Sequence, residues 1–384
     1  KVLVVGAGFV GLGMAGALQR NKIPFDVVEA EGEMGGNWHH GVYDSVHIIS
    51  SKSTTGSDRV LTIAEFSEFP MPRDYPDFPS SAQVIRHRVT TCKMLAYLRG
   101  YANHMQLHSH IEFRTRVVSA QPQVPALHKV SGGWLSSSPL VRATDMMNSK
   151  GHHWAKRTPS YPGQERFIGR IMHSKDFRLV KARVLVVGGG NSACDIAVEA
   201  TRYGCETHIR CAVCNMFLDS HRRGYWFLPR TFFGVPSVNF FHPLLPDRQL
   251  HFLSRLLLRL MVYAIHGSNA SYGLPTPDHD VFDHHPTINS ELLHFIKLGR
   301  IQPHRDIWQF VPPNMVEFTD GSCAQVDVVV FATGYHMSLP MLEGLVPYKD
   351  GIPQLVGGAL VPERRNLYVT IGAQVDSEFG NRGK

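Results

Sequence analysis

Residues 183–195 read RVLVVGGGNSACD, and the chain opens on a close copy of the same pattern, KVLVVGAGFVGLG at residues 1–13. Each copy begins with a run of apolar, mostly β-branched residues, which favours a strand buried in a parallel sheet. Glycines then follow at the spacing that permits a tight turn and brings a pyrophosphate to the backbone at the start of a helix. The repeat predicts an α/β fold with two doubly wound, Rossmann-like dinucleotide-binding domains.

The first copy is followed by an acid at the position of a ribose ligand. FDVVE at residues 25–29 predicts the second strand of this unit. Glu29 lies 18 residues after Gly11 (29 − 11), where a carboxylate accepts the ribose hydroxyls and disfavours a 2′-phosphate. FAD or NAD is therefore the expected ligand. The candidate contacts are Gly6, Gly8, Phe9, Gly11 and Glu29.

The second copy lacks that acid. Its second predicted strand, ETHIR at residues 206–210, ends on Arg210, with Arg222 and Arg223 further along. Guanidinium groups accommodate a 2′-phosphate, so this copy is interpreted as an NADPH site; the alternative is that these arginines form a solvated face. The candidate contacts in the turn are Gly188, Gly190, Asn191 and Ser192.

An FAD site followed by an NADPH site in one chain indicates a flavoprotein oxidoreductase, because one nucleotide can donate a hydride to the other. A duplication in which only one site works is the alternative. Cys211 and Cys214 form a CxxC pair, which is interpreted as a chance spacing rather than a redox-active dithiol.

The composition fits a soluble protein of two or three domains. The chain has 384 residues, of which 43% are hydrophobic and 18% charged. The net charge of +7 comes from scattered basic residues, so nucleic acid is not an expected partner. Six cysteines predict reduced thiols in a cytoplasmic protein, and no signal peptide is expected because the chain begins on a strand. The histidine spacings match no common zinc pattern, so no metal is expected.

Residues 250–265, LHFLSRLLLRLMVYAI, are largely apolar but are interrupted by Arg255 and Arg259. The stretch falls short of the roughly 20 apolar residues of a membrane-spanning helix. Such an amphipathic helix either packs an insertion onto the second domain or lies on a membrane surface. Packing is the expectation, and membrane contact is not.

Residues 167–177, FIGRIMHSKDF, precede the second turn and match the pattern FxGxxxH followed by three residues and an aromatic. This stretch resembles the fingerprint of the flavin-containing monooxygenases, the class B flavoprotein monooxygenases of bacterial type. The related Baeyer–Villiger monooxygenases carry Trp at the last position of this fingerprint, so Phe177 argues against that group. GGNW at residues 35–38 and FATGY at residues 331–335 are similar to further segments of the family. The fingerprint residues are Phe167, Gly169, His173 and Phe177.

The resemblance implies two cofactors, FAD and NADPH, and a reaction. In the family reaction NADPH reduces FAD, O₂ adds to the reduced flavin as a C4a-hydroperoxide, and one oxygen atom passes to a soft nucleophile, an amine nitrogen or a sulfide sulfur. The residues implied as contacts are Gly36, Trp38 and Gln374 for FAD and Asn289 and Thr333 for NADPH. Asn289 also fits a cap of the following helix, and His173 fits a hinge contact, a phosphate contact or a structural histidine.

Two departures from the family pattern leave other functions open. Ser51 stands where the family carries an Asn beside the flavin, and it offers one hydroxyl in place of an amide. This substitution at a catalytic position predicts leakage to hydrogen peroxide, so an uncoupled NADPH oxidase is one alternative. Ser149-Lys150-Gly151 replaces an ATG segment of the family, so a catalytically silent flavin-binding protein is another.

The predicted FAD-binding domain comprises residues 1–157 and 336–384. The predicted NADPH-binding domain comprises residues 158–335, with an insertion at about residues 215–286. The expected partners are O₂ and a small amine or sulfide substrate, and a homodimer is a further expectation.

Overall fold

The structure is a computed structural model of the 384-residue chain. The residues that it describes are 1–40, 43–48, 66, 69–72, 83–85, 88–90, 93–122, 134–136, 142–143, 145–149, 151, 153–178, 181–211, 224–237, 251–281, 283–284, 286–364 and 366–370.

Two compact units divide the described residues. The first contains residues 1–40, 66–155 and 335–370, and the second contains residues 43–48 and 156–334. The predicted boundaries lie after residues 157 and 335, whereas the contacts place them after Ala155 and Gly334. The larger difference from the predicted domains concerns residues 43–48. They were predicted in the first domain but lie in the second unit.

Two five-stranded sheets form the centres of the units. The strands, in chain order, are β1 (Val2–Val5), β2 (Phe25–Val28), β3 (Ile111–Glu112), β4 (Asp145–Asn148), β5 (Arg170–His173), β6 (Arg183–Val187), β7 (Glu206–Arg210), β8 (Ile301–His304), β9 (Val328–Phe331) and β10 (Leu367–Val369). The strand order is β10-β4-β1-β2-β3 in the first unit and β5-β9-β6-β7-β8 in the second. Every pairing in both sheets is parallel.

Within the described residues, six α-helices accompany the sheets. They are α1 (Phe9–Arg20), α2 (Asn37–His40), α3 (Lys93–His104), α4 (Asn191–Arg202), α5 (His251–His266) and α6 (Leu292–Lys297). Short 3₁₀ turns occupy Leu107–His110, Gln164–Arg166, Ser174–Asp176, Asn269–Tyr272 and Pro340–Leu342.

The remaining strands form small hairpins and bridges. They are Gln83–Ile85, Arg88–Thr90, Ala120–Pro122, Trp134–Ser136, Arg142–Ala143, Ala155–Lys156, Phe227–Leu228, Thr231–Phe232, Val235–Pro236, Thr287–Ile288, Ile307–Val311, Met315–Phe318, Cys323–Gln325, Tyr335–His336, Tyr348–Lys349 and Ile352–Pro353.

The central strand of each sheet leads directly into a glycine turn and a helix. All four residues of β1 are buried, as are the last four of β6, because helices and loops cover both faces of a parallel sheet. Helix α1 follows β1 and helix α4 follows β6, and each helix is 12 residues long. Both turns therefore lie at the carboxyl end of a central strand, where open α/β sheets bind their ligands.

One face of helix α5 packs into the core of the second unit. Leu258 and Val262 pack with Phe232 and Val281, which agrees with the packing interpretation of residues 250–265. The opposite face exposes apolar side chains, among them Leu260 and Tyr263. Within the described part of the chain, none of the helices combines the length and apolarity needed to cross a bilayer.

Candidate nucleotide-binding sites

The turn after β1 forms an open cradle. Gly6 has a φ of +102°, and a methyl group on Gly11 would lie 1.8 Å from the Gly6 carbonyl oxygen, so both positions require glycine. Gly8 precedes α1 in extended conformation. Among the described residues, the heavy atom nearest to a methyl group on Gly8 would be the Gly36 Cα, at 3.7 Å. The protein therefore leaves the space beside Gly8 open.

Glu29 ties this cradle to the end of β2. Its side chain is buried, and its Oε2 accepts a hydrogen bond of 2.6 Å from the Ala7 backbone N–H. Its Oε1 accepts a second bond, of 3.0 Å, from the Glu31 N–H. The carboxylate holds the middle of the glycine turn and faces the cavity beside it.

A cavity of about 230 Å³ lies in front of the first turn. Most of the predicted FAD contacts line it, namely Gly6, Gly8, Phe9, Glu29, Gly36 and Trp38. Gln374 and the catalytic candidate Ser51 fall outside the described residues. Residues that the sequence motifs did not indicate also line the cavity, among them Thr115, Arg116, His153 and Trp154. They follow β3 and β4, so the rule that ligands bind at the carboxyl ends of parallel strands could have located them.

The turn after β6 forms a second cradle with the same geometry. The Gly188 N–H donates to the Arg210 carbonyl at 2.9 Å, as the Gly6 N–H does to the Val28 carbonyl at 2.8 Å. Among the described residues, none places a heavy atom within 4 Å of a methyl group built on Gly190. Helix α4 begins at Asn191, whose side-chain oxygen accepts from the Ile288 N–H at 2.8 Å. Gly190 thus leaves an open position at a helix N-terminus, and Ser192 follows in the first turn of α4.

Arg210 is held inside the second unit. Its side chain is buried, and its guanidinium donates to the Asp306 carboxylate at 2.6 Å. The prediction that Arg210 binds a 2′-phosphate is therefore wrong, because the guanidinium is shielded inside the unit and paired there. Arg222 and Arg223 lie outside the described residues.

Asn289 has the capping role rather than the nicotinamide role. Its side-chain oxygen accepts from the Glu291 N–H at 2.9 Å and the Leu292 N–H at 2.8 Å, at the start of α6. Its amide donates to Asp195 at 3.1 Å, and the residue is 1% exposed. The predicted cofactor contact of Asn289 is corrected, because all these polar atoms are used within the protein.

The fingerprint residues build the end of the second unit. Phe167 packs edge-on against Phe310 at a ring distance of 5.2 Å, and Phe177 is buried. A methyl group on Gly169 would lie 2.5 Å from the Phe167 ring, which explains the glycine. The pattern therefore fixes the core around β5 and β9.

His173 holds the chain where the second unit ends. Its Nδ1 accepts from the Lys175 N–H at 3.1 Å, so the proton resides on Nε2, which donates to the Gly334 carbonyl at 2.9 Å. Burial lowers the pKa of His173 and keeps the ring neutral. The neighbouring Thr333 hydroxyl donates to the Arg157 carbonyl. These contacts favour the hinge interpretation of His173, since Gly334 is the last residue of the unit.

A family model for flavin-binding monooxygenase-like proteins matches residues 1–352 of the chain. The chain belongs to this family. The prediction from residues 167–177 is confirmed, and FAD and NADPH are confirmed as the cofactors of the family.

Curated relatives of this flavin-binding monooxygenase-like chain are monooxygenases. Dimethylaniline monooxygenase (N-oxide-forming) 2 of Oryctolagus cuniculus is 30% identical over 393 residues, which cover 97% of this chain and 69% of that protein. Flavin-containing monooxygenase 5 of Mus musculus is 30% identical and covers 90% of this chain and 64% of the relative. The chain thus spans about two thirds of the length of these relatives.

Solved structures share the fold. A flavin-containing monooxygenase from Stenotrophomonas maltophilia has a TM-score of 0.62 at 19% identity, covering 96% of this chain and 89% of the other. OTEMO in complex with FAD and NADP has a TM-score of 0.68 at 17% identity, covering 99% and 81%. The prediction of two doubly wound dinucleotide-binding domains is confirmed.

A buried polar cluster in the second unit of this family member escaped the sequence analysis. Asp195 on α4 accepts from the Tyr43 hydroxyl at 3.1 Å and from Arg230 at 3.3 Å, and the His47 ring lies 3.6 Å away. One turn further along, Glu199 accepts from Ser45. Burial raises the pKa of Asp195. The cluster attaches residues 43–48 to α4, and no motif in the sequence indicated it.

Proposed function

We propose that the chain is an NADPH-dependent monooxygenase that holds FAD in the cradle after β1 and NADPH in the cradle after β6. It transfers one oxygen atom of O₂ to an amine nitrogen or a sulfide sulfur. The observation that carries the proposal is the repeated open turn. In the first copy the Ala7 N–H, the central amide of the turn, donates a hydrogen bond to the Glu29 carboxylate. In the second copy the sequence has no carboxylate at the corresponding position.

The first cradle suits FAD for two reasons. The N–H groups at the start of α1 have no intrahelical acceptor and point toward the space beside Gly8, which is the arrangement that binds a pyrophosphate. Glu29 keeps carboxylate oxygen directed at the cavity, where ribose hydroxyls can donate to it. A nucleotide with a 2′-phosphate would meet this negative charge.

The second cradle suits NADPH. Gly190 leaves room for the pyrophosphate in front of α4, and the amides at the start of this helix face it. The residue after β7 is Cys211, so no carboxylate opposes a 2′-phosphate there. The predicted phosphate ligands that stay in the proposal are Arg222 and Arg223.

FAD held there and reduced by NADPH would activate O₂, so that one oxygen atom of O₂ passes to the substrate and the other leaves as water. The residues of the chain bind the cofactor, orient it and exclude water. Gly36 approaches Gly8 closely, since a methyl group on Gly36 would lie 3.1 Å from the Gly8 Cα, and Trp38 and Trp154 add aromatic surface to the cavity. This chemistry requires a soft nucleophile as substrate and no nucleophilic side chain. The N-oxide-forming activity in the name of the rabbit relative supports an amine.

A panel of tertiary amines and sulfides with ¹⁸O₂ tests the proposal. We expect an N-oxide or S-oxide that carries one ¹⁸O atom, with about one product formed per NADPH consumed. If NADPH is consumed and hydrogen peroxide accounts for all of it with every compound, the protein is the oxidase that Ser51 suggests. A purified protein that takes up no FAD would instead identify the silent alternative and contradict the proposal.

A further inference from the structure

The two cradles can be compared atom by atom, because their strands have the same register. In the first sheet Val5 pairs with Val28, and in the second Val187 pairs with Arg210. The Gly6 and Gly188 amides donate to the partners of those pairs, the Val28 and Arg210 carbonyls. The residue that corresponds to Glu29 is therefore Cys211, one position after the strand.

The central amide of each turn has a different partner. In the first turn the Ala7 N–H donates to the Glu29 carboxylate at 2.6 Å. In the second turn the corresponding residue is Gly189, and the Tyr225 ring packs directly on it. A methyl group on Gly189 would lie 2.3 Å from the Tyr225 Cε2. Burial raises the pKa of the Tyr225 phenol, and the Gly189 backbone N–H opposes this rise, as a donor directed at the phenol oxygen does.

Tyr225 is held in this position by residues outside the turn. The Asn269 side-chain amide donates to the Tyr225 carbonyl at 2.9 Å and to the Pro275 carbonyl at 3.1 Å. The Gly189 carbonyl accepts from the Thr287 hydroxyl at 2.9 Å, so the turn itself is fixed as well. The phenol therefore reaches the turn from a separate segment and occupies the place that a carboxylate occupies in the first cradle.

Both groups at this place are uncharged. Burial raises the pKa of the Tyr225 phenol, and burial raises the pKa of the Cys211 thiol to about 12. The central amide thus has a hydrogen-bond partner that brings no negative charge toward a 2′-phosphate.

We infer that Tyr225 and Cys211 determine the choice of nucleotide in the second cradle. The neutral phenol replaces the carboxylate that would bind a 2′-hydroxyl and repel a 2′-phosphate. This inference rests on the proposed function, since it requires a nicotinamide nucleotide in that cradle.

The test restores the acid and uses a matched neutral control. In Cys211→Glu/Tyr225→Ala the carboxylate can reach the Gly189 amide, and Cys211→Gln/Tyr225→Ala has the same shape without the charge. Binding of NADP⁺ and of NAD⁺ to the FAD-loaded protein is measured by calorimetry. We expect the NADP⁺:NAD⁺ affinity ratio to be about 10- to 100-fold lower in the Glu variant than in the Gln variant, as for a hydrogen bond to a charged group. Equal ratios would overturn the inference.

Both substituted residues lie in the second unit, so the thermal unfolding of each variant, compared with that of the wild type, reports whether this unit is folded. If the double variants do not fold, the single variants Tyr225→Glu and Tyr225→Gln give the answer, because they place a charged or a neutral group where the phenol lies. We expect a lower NADP⁺:NAD⁺ affinity ratio in the Glu variant than in the Gln variant, and equal ratios would overturn the inference. A wild-type protein that binds neither nucleotide would contradict the proposed function itself, and that result is distinct from either outcome above.

Discussion

At the scale of the residue, a single glycine in each turn leaves open the space that the proposed nucleotide would occupy. Gly8 precedes α1 with φ −77° and ψ −169°, and Gly190 precedes α4 with φ −78° and ψ 179°. Other residues adopt these angles readily. The requirement for glycine here is therefore spatial, because a side chain would enter the space that each turn leaves for a pyrophosphate.

The variant Gly8→Val should lose FAD, and Gly190→Val should keep FAD but lose NADPH binding. The two variants control for each other, because each alters the same position in a different cradle. Flavin absorbance per protein and calorimetric titration with NADP⁺ measure the outcome. A Gly8→Val protein fully loaded with FAD would show that the first cradle is not the flavin site.

Glu29→Gln should weaken FAD binding roughly tenfold or more. The carboxylate accepts backbone hydrogen bonds from Ala7 and Glu31, and hydrogen bonds to charged groups contribute about 1.5–3 kcal/mol each. Fluorescence titration of the apoprotein with FAD measures the affinity. An affinity equal to that of the wild type would rule out this role for Glu29.

At the scale of elements, strands β7 and β8 share a pair of histidines. His208 and His304 lie 3.0 Å apart, Nδ1 to Nε2, and His304 stacks on Phe318. Burial, and then the neighbouring His208, lower the pKa of His304 to about 4, while Asp320 opposes the shift. Burial also lowers the pKa of His208, opposed by Glu206.

Acidification should therefore loosen this pair of strands. Above pH 6.5, the ordinary pKa of histidine, both rings are neutral in the folded and the unfolded chain, and their contribution is complete. As the pH falls toward 4, the unfolded chain binds protons first, so stability is lost, on the order of 2 kcal/mol. Thermal unfolding at pH 7.5 and pH 5 should show a smaller loss for His304→Gln than for the wild type. Equal losses would exclude the histidine pair as the cause.

The strands around the glycine turns could be predicted from the sequence because their signals are local. Val2–Val5 and Arg183–Val187 were predicted and are strands in the structure, and FDVVE differs by one residue at its end. The local sequence did not show which residue of the second copy corresponds to Glu29, and it suggested Arg210. Only the strand register shows that Cys211, and not Arg210, corresponds to Glu29.

Contacts between distant segments had no signal in the sequence. Tyr43 meets Asp195 across 152 residues, and Tyr225 covers Gly189 from beyond β7. Neither contact has a period or a motif, since each depends on how separate segments pack within the unit. The sequence around Asn289 likewise allowed either a helix cap or a cofactor contact. The hydrogen bonds from the Glu291 and Leu292 N–H groups show that Asn289 caps α6.

At the scale of the whole molecule, the chain contains the same nucleotide-binding unit twice, and the two copies differ in charge where the ribose would lie. A flavoprotein that takes electrons from NADPH needs this difference, because each cradle must reject the ligand of the other. In the proposal, Glu29 in the first cradle and Tyr225 with Cys211 in the second account for this difference.

Anaerobic titration of the FAD-loaded protein with NADPH, followed by flavin absorbance, tests the central claim most directly. We predict that one equivalent of NADPH reduces one flavin completely, and that NADH at the same concentration reduces it far more slowly. A bound flavin that NADPH leaves oxidised, or that NADH reduces equally fast, would contradict the assignment of the two cradles.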